Sequence, residues 1–169
     1  MSHRAFIGLG SNIEPELHLP HAVTELAQLG EVVAVSHVYE SPAVGDVNQP
    51  NFLNAAVLLE TEHSPTELCG VLREIEQRMG RLRDPLNVNA ARTIDLDLVL
   101  YDDLTTTVGS RRIPDPDILT RSFLAVPLSE VDRTYVHPET GETLEVIAAR
   151  LRTTGTELTE RSDLDLRSL

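Results

Sequence analysis

One short stretch, Ile94-Asp95-Leu96-Asp97-Leu98-Val99-Leu100-Tyr101, constrains this chain more than any other. It is apolar except for two carboxylates at i and i+2. Read as a strand, its side chains alternate between faces. Asp95 and Asp97 then share one face, and Ile94, Leu96, Leu98 and Leu100 share the other. Two carboxylates that close repel each other and are costly to desolvate unless a cation lies between them. The fold must therefore bury one face of this strand and bring positive charge to the other.

Oxygen ligands of this kind suit Mg²⁺, which takes one or two carboxylates and completes its shell with water and substrate phosphates. Arg92, just upstream, adds a permanent positive charge for phosphate. The pattern points to metal-assisted phosphoryl chemistry.

The rest of the composition narrows the alternatives. A chain of 169 residues has the length of one domain with a real core. That domain is expected over residues 1–152, with a charged, partly disordered tail over 153–169. Its apolar runs are too short for a membrane span, and the N-terminus lacks the long apolar stretch of a signal peptide. A single cysteine, Cys69, excludes an internal disulfide, fits a reducing cytoplasm and is expected as buried filler. The net charge of −13 argues against nucleic-acid binding. All 14 basic residues are arginine. Without lysine, Gly8-Leu9-Gly10-Ser11-Asn12 cannot be a Walker A loop. Eight of the arginines (Arg73, Arg78, Arg81, Arg83, Arg92, Arg111, Arg112 and Arg121) cluster around the acid pair in sequence.

Periodicity gives the order of elements. Ala5 to Gly10 reads as a strand ending in a Gly-Ser-Asn turn. A helix follows with Pro20 in its first turn and Gly30 as its stop. Val32 to Tyr39 reads as a second strand, Ser41 to Pro50 as a loop, and Phe52 to Glu60 as a third strand with Phe52, Asn54 and Ala56 on one face. Ser64, Pro65 and Glu67 spell a capping box for a helix with Leu68, Val71, Leu72, Ile75 and Met79 as its apolar stripe. Residues 81–91 read as a mobile loop, Thr93 to Tyr101 as the fourth strand, and Leu104–Val108 with Arg111–Ile113 as a small hairpin. Short helices follow within 120–131 and 144–151. The order β-α-β-β-α-β is that of an α+β, ferredoxin-like antiparallel sheet with helices packed on one face.

These motifs together resemble one family, the 6-hydroxymethyl-7,8-dihydropterin pyrophosphokinases of folate biosynthesis. The resemblance is carried by Gly8 to Asn12, Ser41-Pro42, Gln49-Pro50-Asn51-Phe52-Leu53-Asn54, Glu76 to Arg83, Arg92-Thr93-Ile94-Asp95-Leu96-Asp97, Ile113-Pro114 and Arg121 to Leu128. It implies transfer of pyrophosphate from ATP to a reduced pterin, with two Mg²⁺ ions and ATP as co-substrate. By the same resemblance, Asp95 and Asp97 hold the metal and, with Arg81 and Arg92, form the catalytic set. Ser41, Pro42, Val44, Phe52, Asn54, Asp95 and Phe123 would take the pterin. Arg73, Glu76, Arg83, Arg92, Leu98, Ile113 and Arg121 would take the nucleotide. Two of the three phenylalanines in the chain fall at the pterin positions, where stacking on a flat heterocycle uses the geometry that aromatic pairs prefer. The partners implied are small molecules, with no nucleic acid or membrane, for a cytoplasmic monomer or weak homodimer.

Three positions depart from the family pattern. Asp115 stands where a histidine usually follows Ile-Pro, Val88-Asn89-Ala90-Ala91-Arg92 lacks the usual tryptophan, and Asp84 replaces a common basic residue. A carboxylate beside phosphate is repulsive unless it is compensated. A second reading, a pterin-binding relative with impaired or altered nucleotide chemistry, therefore stays open beside the first.

Overall fold

Two strands buried on both faces organise the chain: β1 (His3–Ser11) and β4 (Phe52–Thr61), paired antiparallel from His3↔Thr61 to Ser11↔Leu53. The structure, a computed structural model, describes residues 1–45, 48–80, 91–154 and 158–167. Between these strands lie α1 (Pro15–Leu26), β2 (Glu31–Val35) and β3 (Tyr39–Ser41). After them come α2 (Pro65–Arg78), β5 (Asp95–Tyr101), the hairpin β6 (Thr106–Val108) and β7 (Arg111–Ile113), and a 3₁₀ turn at Pro116–Leu119. The chain continues through α3 (Ser122–Val131), α4 (Leu144–Thr154) and β8 (Thr159–Glu160).

The main sheet runs β5-β1-β4, and β2 and β3 then pair in succession along the far side of β4. This is the antiparallel, α+β, ferredoxin-like arrangement expected from the element order. The helices, however, cover both faces rather than one. Ile7, Leu9, Ala55, Val57, Leu96 and Leu98 pack with α1 and α2. Phe6, Ala56, Leu58, Val99 and Leu100 pack with α3 and α4. The near-continuous apolar runs of β1 and β4 suit this burial on two sides.

Local signals explain several element boundaries. Ser64 and Glu67 close the expected capping box at the start of α2. Gly80, with φ of 87°, ends that helix in a conformation that side chains rarely tolerate. Gly30 lies so close to β4 that an added Cβ would sit 2.0 Å from the Glu60 carbonyl oxygen.

Several expectations are corrected. Helix α1 starts at Pro15, so Pro20 lies inside it instead of in its first turn. Proline at both places offers two plausible starts, and sequence alone chose the later one. The second strand is two strands, because Ser36 enters the ladder with its side chain. Its N–H donates to the Ala56 carbonyl at 2.9 Å, while its hydroxyl accepts from the Ala56 N–H at 2.8 Å. The alternation in β5 also fails at one point. The register against β1 shifts between Phe6↔Leu100 and Ile7↔Leu98, a bulge that turns Leu100 to the face opposite Leu98. The freed Val99 carbonyl accepts from the Asp115 N–H at 2.9 Å.

The tail carries more structure than its composition suggested. Thr159–Glu160 pairs with β3, and Leu166 is buried in the core beneath α1 and α2. The expected loop at 81–91 lies outside the described residues up to position 90. Leu166→Ala should cost about 2 kcal/mol, the low end for a buried leucine, in urea denaturation. An unchanged midpoint would mean that the tail does not pack in solution.

Candidate active site

The acid pair sits where three strands align. Gly10 on β1 is opposite Asp95 on β5 and Asn54 on β4, and Gly8 is opposite Asp97 and Ala56. Opposed residues in antiparallel strands project to the same side, so Asp95, Asp97, Asn54 and Phe52 share one face. An added Cβ at Gly10 would stand 3.7 Å from Asn54 Oδ1 and 3.8 Å from Phe52 Cδ1. Glycine there keeps the floor between the amide and the acids open.

The Gly-Ser-Asn turn holds the segments that feed this face. The Asn12 side chain donates to Gln49 Oε1 at 2.6 Å and to the Pro50 carbonyl at 3.1 Å. Its Oδ1 accepts from the Arg92 N–H at 2.8 Å, and its N–H donates to the Arg92 carbonyl at 3.2 Å. The Ser11 hydroxyl donates to the Thr93 carbonyl at 2.5 Å. One turn thus fixes both the entry to β4, with Phe52 and Asn54, and the entry to β5, with Arg92 and the acids.

Two cavities meet at the acids. The smaller, about 260 Å³, is lined by Ser41, Pro42, Val44, Phe52, Asn54, Asp95 and Phe123, the whole set expected for the pterin. Gly10, Arg92, Asp97, Asp117 and Arg121 complete its wall. Asn54 is buried and donates to the Tyr39 carbonyl at 3.1 Å and to the Ser41 hydroxyl at 2.8 Å. Both N–H donors are therefore used, which leaves Oδ1 to serve as an acceptor. The larger cavity, about 640 Å³, lies along the β5 edge between α2 and the β6–β7 hairpin. Arg73, Glu76, Leu98, Cys69, Ser110 and Arg111 are among its lining residues. Arg92, Asp95 and Asp97 border both cavities.

Of the other expected nucleotide residues, Ile113 and Arg121 fall elsewhere, whereas Glu76 lines the larger cavity and also makes a structural contact. Glu76 is buried and accepts the Leu96 N–H at 2.8 Å, capping the exposed edge of β5 with its carboxylate. Ile113 is fully buried in the core and does not line the larger cavity. Arg121 borders the smaller cavity instead. Arg81 and Arg83, with Asp84, lie outside the described residues. Cys69 is half-buried rather than fully buried: it packs against the core and borders the groove, and burial pushes its thiol pKa up.

Arginines balance the acid pair. Arg92 Nη1 donates to Asp95 Oδ2 at 3.1 Å, and its guanidinium carbon stands 5.5 Å from the centre of the Phe52 ring. Arg111 Nη2 donates to Asp97 Oδ1 at 2.6 Å, and its Nη1 to Asp115 Oδ2 at 2.6 Å. Burial first, and then the neighbouring Asp95 carboxylate, push the Asp97 carboxyl up to about 7, against the pull of Arg111. Sequence reasoning did not single out Arg111, Asn12 or Asp117. For Asn12 the Gly-Ser-Asn turn was the available signal. Among the described residues no group of three or more His, Cys, Asp or Glu side chains is placed to hold a metal ion. Asp95 and Asp97 share one face and offer two carboxylates, within the one or two that Mg²⁺ usually takes, and each already attracts a guanidinium. The donor set fits that ion.

Comparison with known proteins identifies relatives of the chain. The family described as 7,8-dihydro-6-hydroxymethylpterin-pyrophosphokinase (HPPK) matches residues 6–133. A 2-amino-4-hydroxy-6-hydroxymethyldihydropteridine pyrophosphokinase of Synechocystis sp. is 41% identical over 145 residues, covering 84% of this chain and 73% of that protein. One of the same name from Methylorubrum extorquens is 37% identical, covering 93% of this chain and 99% of the relative. A solved structure of wild-type Plasmodium falciparum HPPK-DHPS with pterin and p-hydroxybenzoate superposes with a TM-score of 0.71 at 15% identity. It covers 90% of this chain, which spans 42% of that longer one, and at this identity the likeness concerns the fold. The chain belongs to the 7,8-dihydro-6-hydroxymethylpterin-pyrophosphokinase family.

The raised Asp97 carboxyl has a measurable consequence. The folded protein holds that proton more tightly than an unfolded chain does. The resulting penalty is absent below about pH 4, grows with rising pH and is complete above about pH 7. In metal-free thermal melts, the advantage of Asp97→Asn over wild type should grow from pH 4 to pH 8. A difference that stays constant across that range would refute the shift.

Proposed function

We propose that this chain transfers pyrophosphate from ATP to 6-hydroxymethyl-7,8-dihydropterin, giving AMP and the pterin diphosphate, a step of folate biosynthesis. The observation that carries the reading is the meeting of two cavities at Asp95, Asp97 and Arg92. One cavity has the size and aromatic lining for a flat bicyclic ring. The other has the size for a nucleotide and includes Arg73, Arg92 and Arg111 in its lining.

In this reading the pterin lies between Phe52 and Phe123, an arrangement that uses the preference of planar rings for stacked contact. Asn54 Oδ1 accepts from the N–H groups of the pterin's amide edge, and Ser41, Pro42 and Val44 close the pocket around it. Arg92, which pairs with Asp95, brings its guanidinium charge to phosphate. Arg73 and Leu98 face the nucleotide from the larger cavity, and Arg121 meets the phosphates from the pterin side. Arg81 and Arg83 are assigned to phosphate from the family resemblance alone. Asp95 and Asp97 would hold divalent cation, two Mg²⁺ ions in this proposal, and bound metal would neutralise charge on the transferred phosphates. With the metal and both substrates in place, the side chains act mainly by alignment and by balancing charge.

The reading of impaired nucleotide chemistry rested partly on Asp115. That carboxylate does not face the cavity uncompensated, because Arg111 pairs with it. The first reading is therefore preferred. Among the described residues no helix is long and apolar enough to cross a membrane. The proposal takes the enzyme as cytoplasmic and as a monomer or weak homodimer.

Incubation with ATP, Mg²⁺ and 6-hydroxymethyl-7,8-dihydropterin should release AMP, and release of ADP would refute the assignment. Asp97→Ala should lower turnover by roughly a hundredfold or more, the scale for losing a main electrostatic group, while calorimetry still detects the pterin. Full activity in that variant would remove Asp97 from the mechanism.

A further inference from the structure

Arg111 holds two carboxylates at once, Asp97 and Asp115, each at 2.6 Å. The second of these is itself fixed. The Asp115 N–H donates to the Val99 carbonyl at the β5 bulge, at 2.9 Å, and its Oδ1 accepts from the Asp117 N–H, also at 2.9 Å. Asp115 is mostly buried, with its side chain 12% exposed, whereas the neighbouring Arg112 reaches outward to Glu139 and is 58% exposed. The guanidinium of Arg111 is therefore anchored from one side by a rigid acceptor and rests on Asp97 from the other. It occupies one oxygen of an acid from which a divalent cation would have to draw its ligands.

We propose that Arg111, tethered by Asp115, is the resident counter-cation of Asp97 and makes divalent-metal occupancy of the acid pair conditional on the nucleotide. This rests on the reading of Asp95 and Asp97 as the metal site. A free divalent ion would have to displace, or sit against, a fixed positive charge, and like charges at this separation repel strongly in a partly buried groove. A triphosphate changes the balance by giving the guanidinium an anionic partner that can take the place of Asp97 within reach of its tether. The tether keeps Arg111 at the groove when it releases Asp97. Asp115 thus supplies the anchor for a cation at the position where the family pattern has a histidine.

The test measures Mn²⁺ binding by paramagnetic resonance of the free ion, with and without a non-hydrolysable ATP analogue. Wild type should bind Mn²⁺ weakly alone and much more tightly with the analogue. Arg111→Gln should tighten binding without nucleotide by about tenfold, a change on the scale expected for removing one nearby charge, and should shrink the gain from the analogue. Arg111→Lys, which keeps the charge, should behave nearly as wild type. Arg112→Gln, the same charge change one residue away, should leave both affinities unchanged. If Arg111→Gln proves unstable, Asp115→Asn decides. Freed of its second partner, Arg111 should close on Asp97 and weaken binding of Mn²⁺ alone. Unchanged Mn²⁺ affinity without nucleotide in Arg111→Gln or in Asp115→Asn overturns the inference while leaving the metal site intact. Equal tightening by Arg112→Gln overturns it too, since distant charge would then suffice. If wild type binds no Mn²⁺ even with the analogue, the metal reading itself fails, and the inference with it.

Discussion

Two carboxylates on one face of an edge strand repel each other, and much of the structure around them answers that repulsion. Arg92 pairs with Asp95, and Arg111 pairs with Asp97. Glu76 satisfies the Leu96 N–H between them from the edge. Compensation is incomplete, because burial and Asp95 together still raise the Asp97 carboxyl. A pair of carboxylates held in a partly buried site is suited to divalent cations and to the phosphates that accompany them.

The sheet delivers these groups through a few local devices. The Asn12 side chain ties the approach to β4 to the approach to β5. Gly10, between Asn54 and Asp95 in register, adds no side chain to the floor of the smaller cavity. The β5 bulge spends one carbonyl on Asp115 and so brings the β7–3₁₀ segment against the acid pair. Each device is a main-chain or short polar contact, which fits a site that must be held in place before its substrates arrive.

Legibility varied with the range of the interaction. The capping box at Ser64 and Glu67, the β6–β7 hairpin and the shared face of Asp95 and Asp97 depend on residues a few positions apart. Each was readable in sequence. The second helical layer was missed because α3 and α4 cover a sheet face that periodicity alone does not report, although the unbroken apolar runs of β1 and β4 carried the hint. Ile113 and Glu76 were assigned to the nucleotide by motif. In the fold, the first is core, and the second lines the larger cavity while also capping a strand edge. Arg111 was one arginine among many, since its two acceptors lie fourteen residues before it and four after.

By itself the sequence determined the strand that bears the acid pair, the order of elements and the family, because these follow from local periodicity and closely spaced motifs. Only the tertiary structure decided which charges meet, which face each helix covers and where the two cavities join. Those outcomes depend on strand register, on one bulge that inverts the alternation and on contacts between residues distant in the chain. A pattern of period two cannot announce where it will be interrupted, and that interruption is what places Asp115, and with it Arg111, beside Asp97.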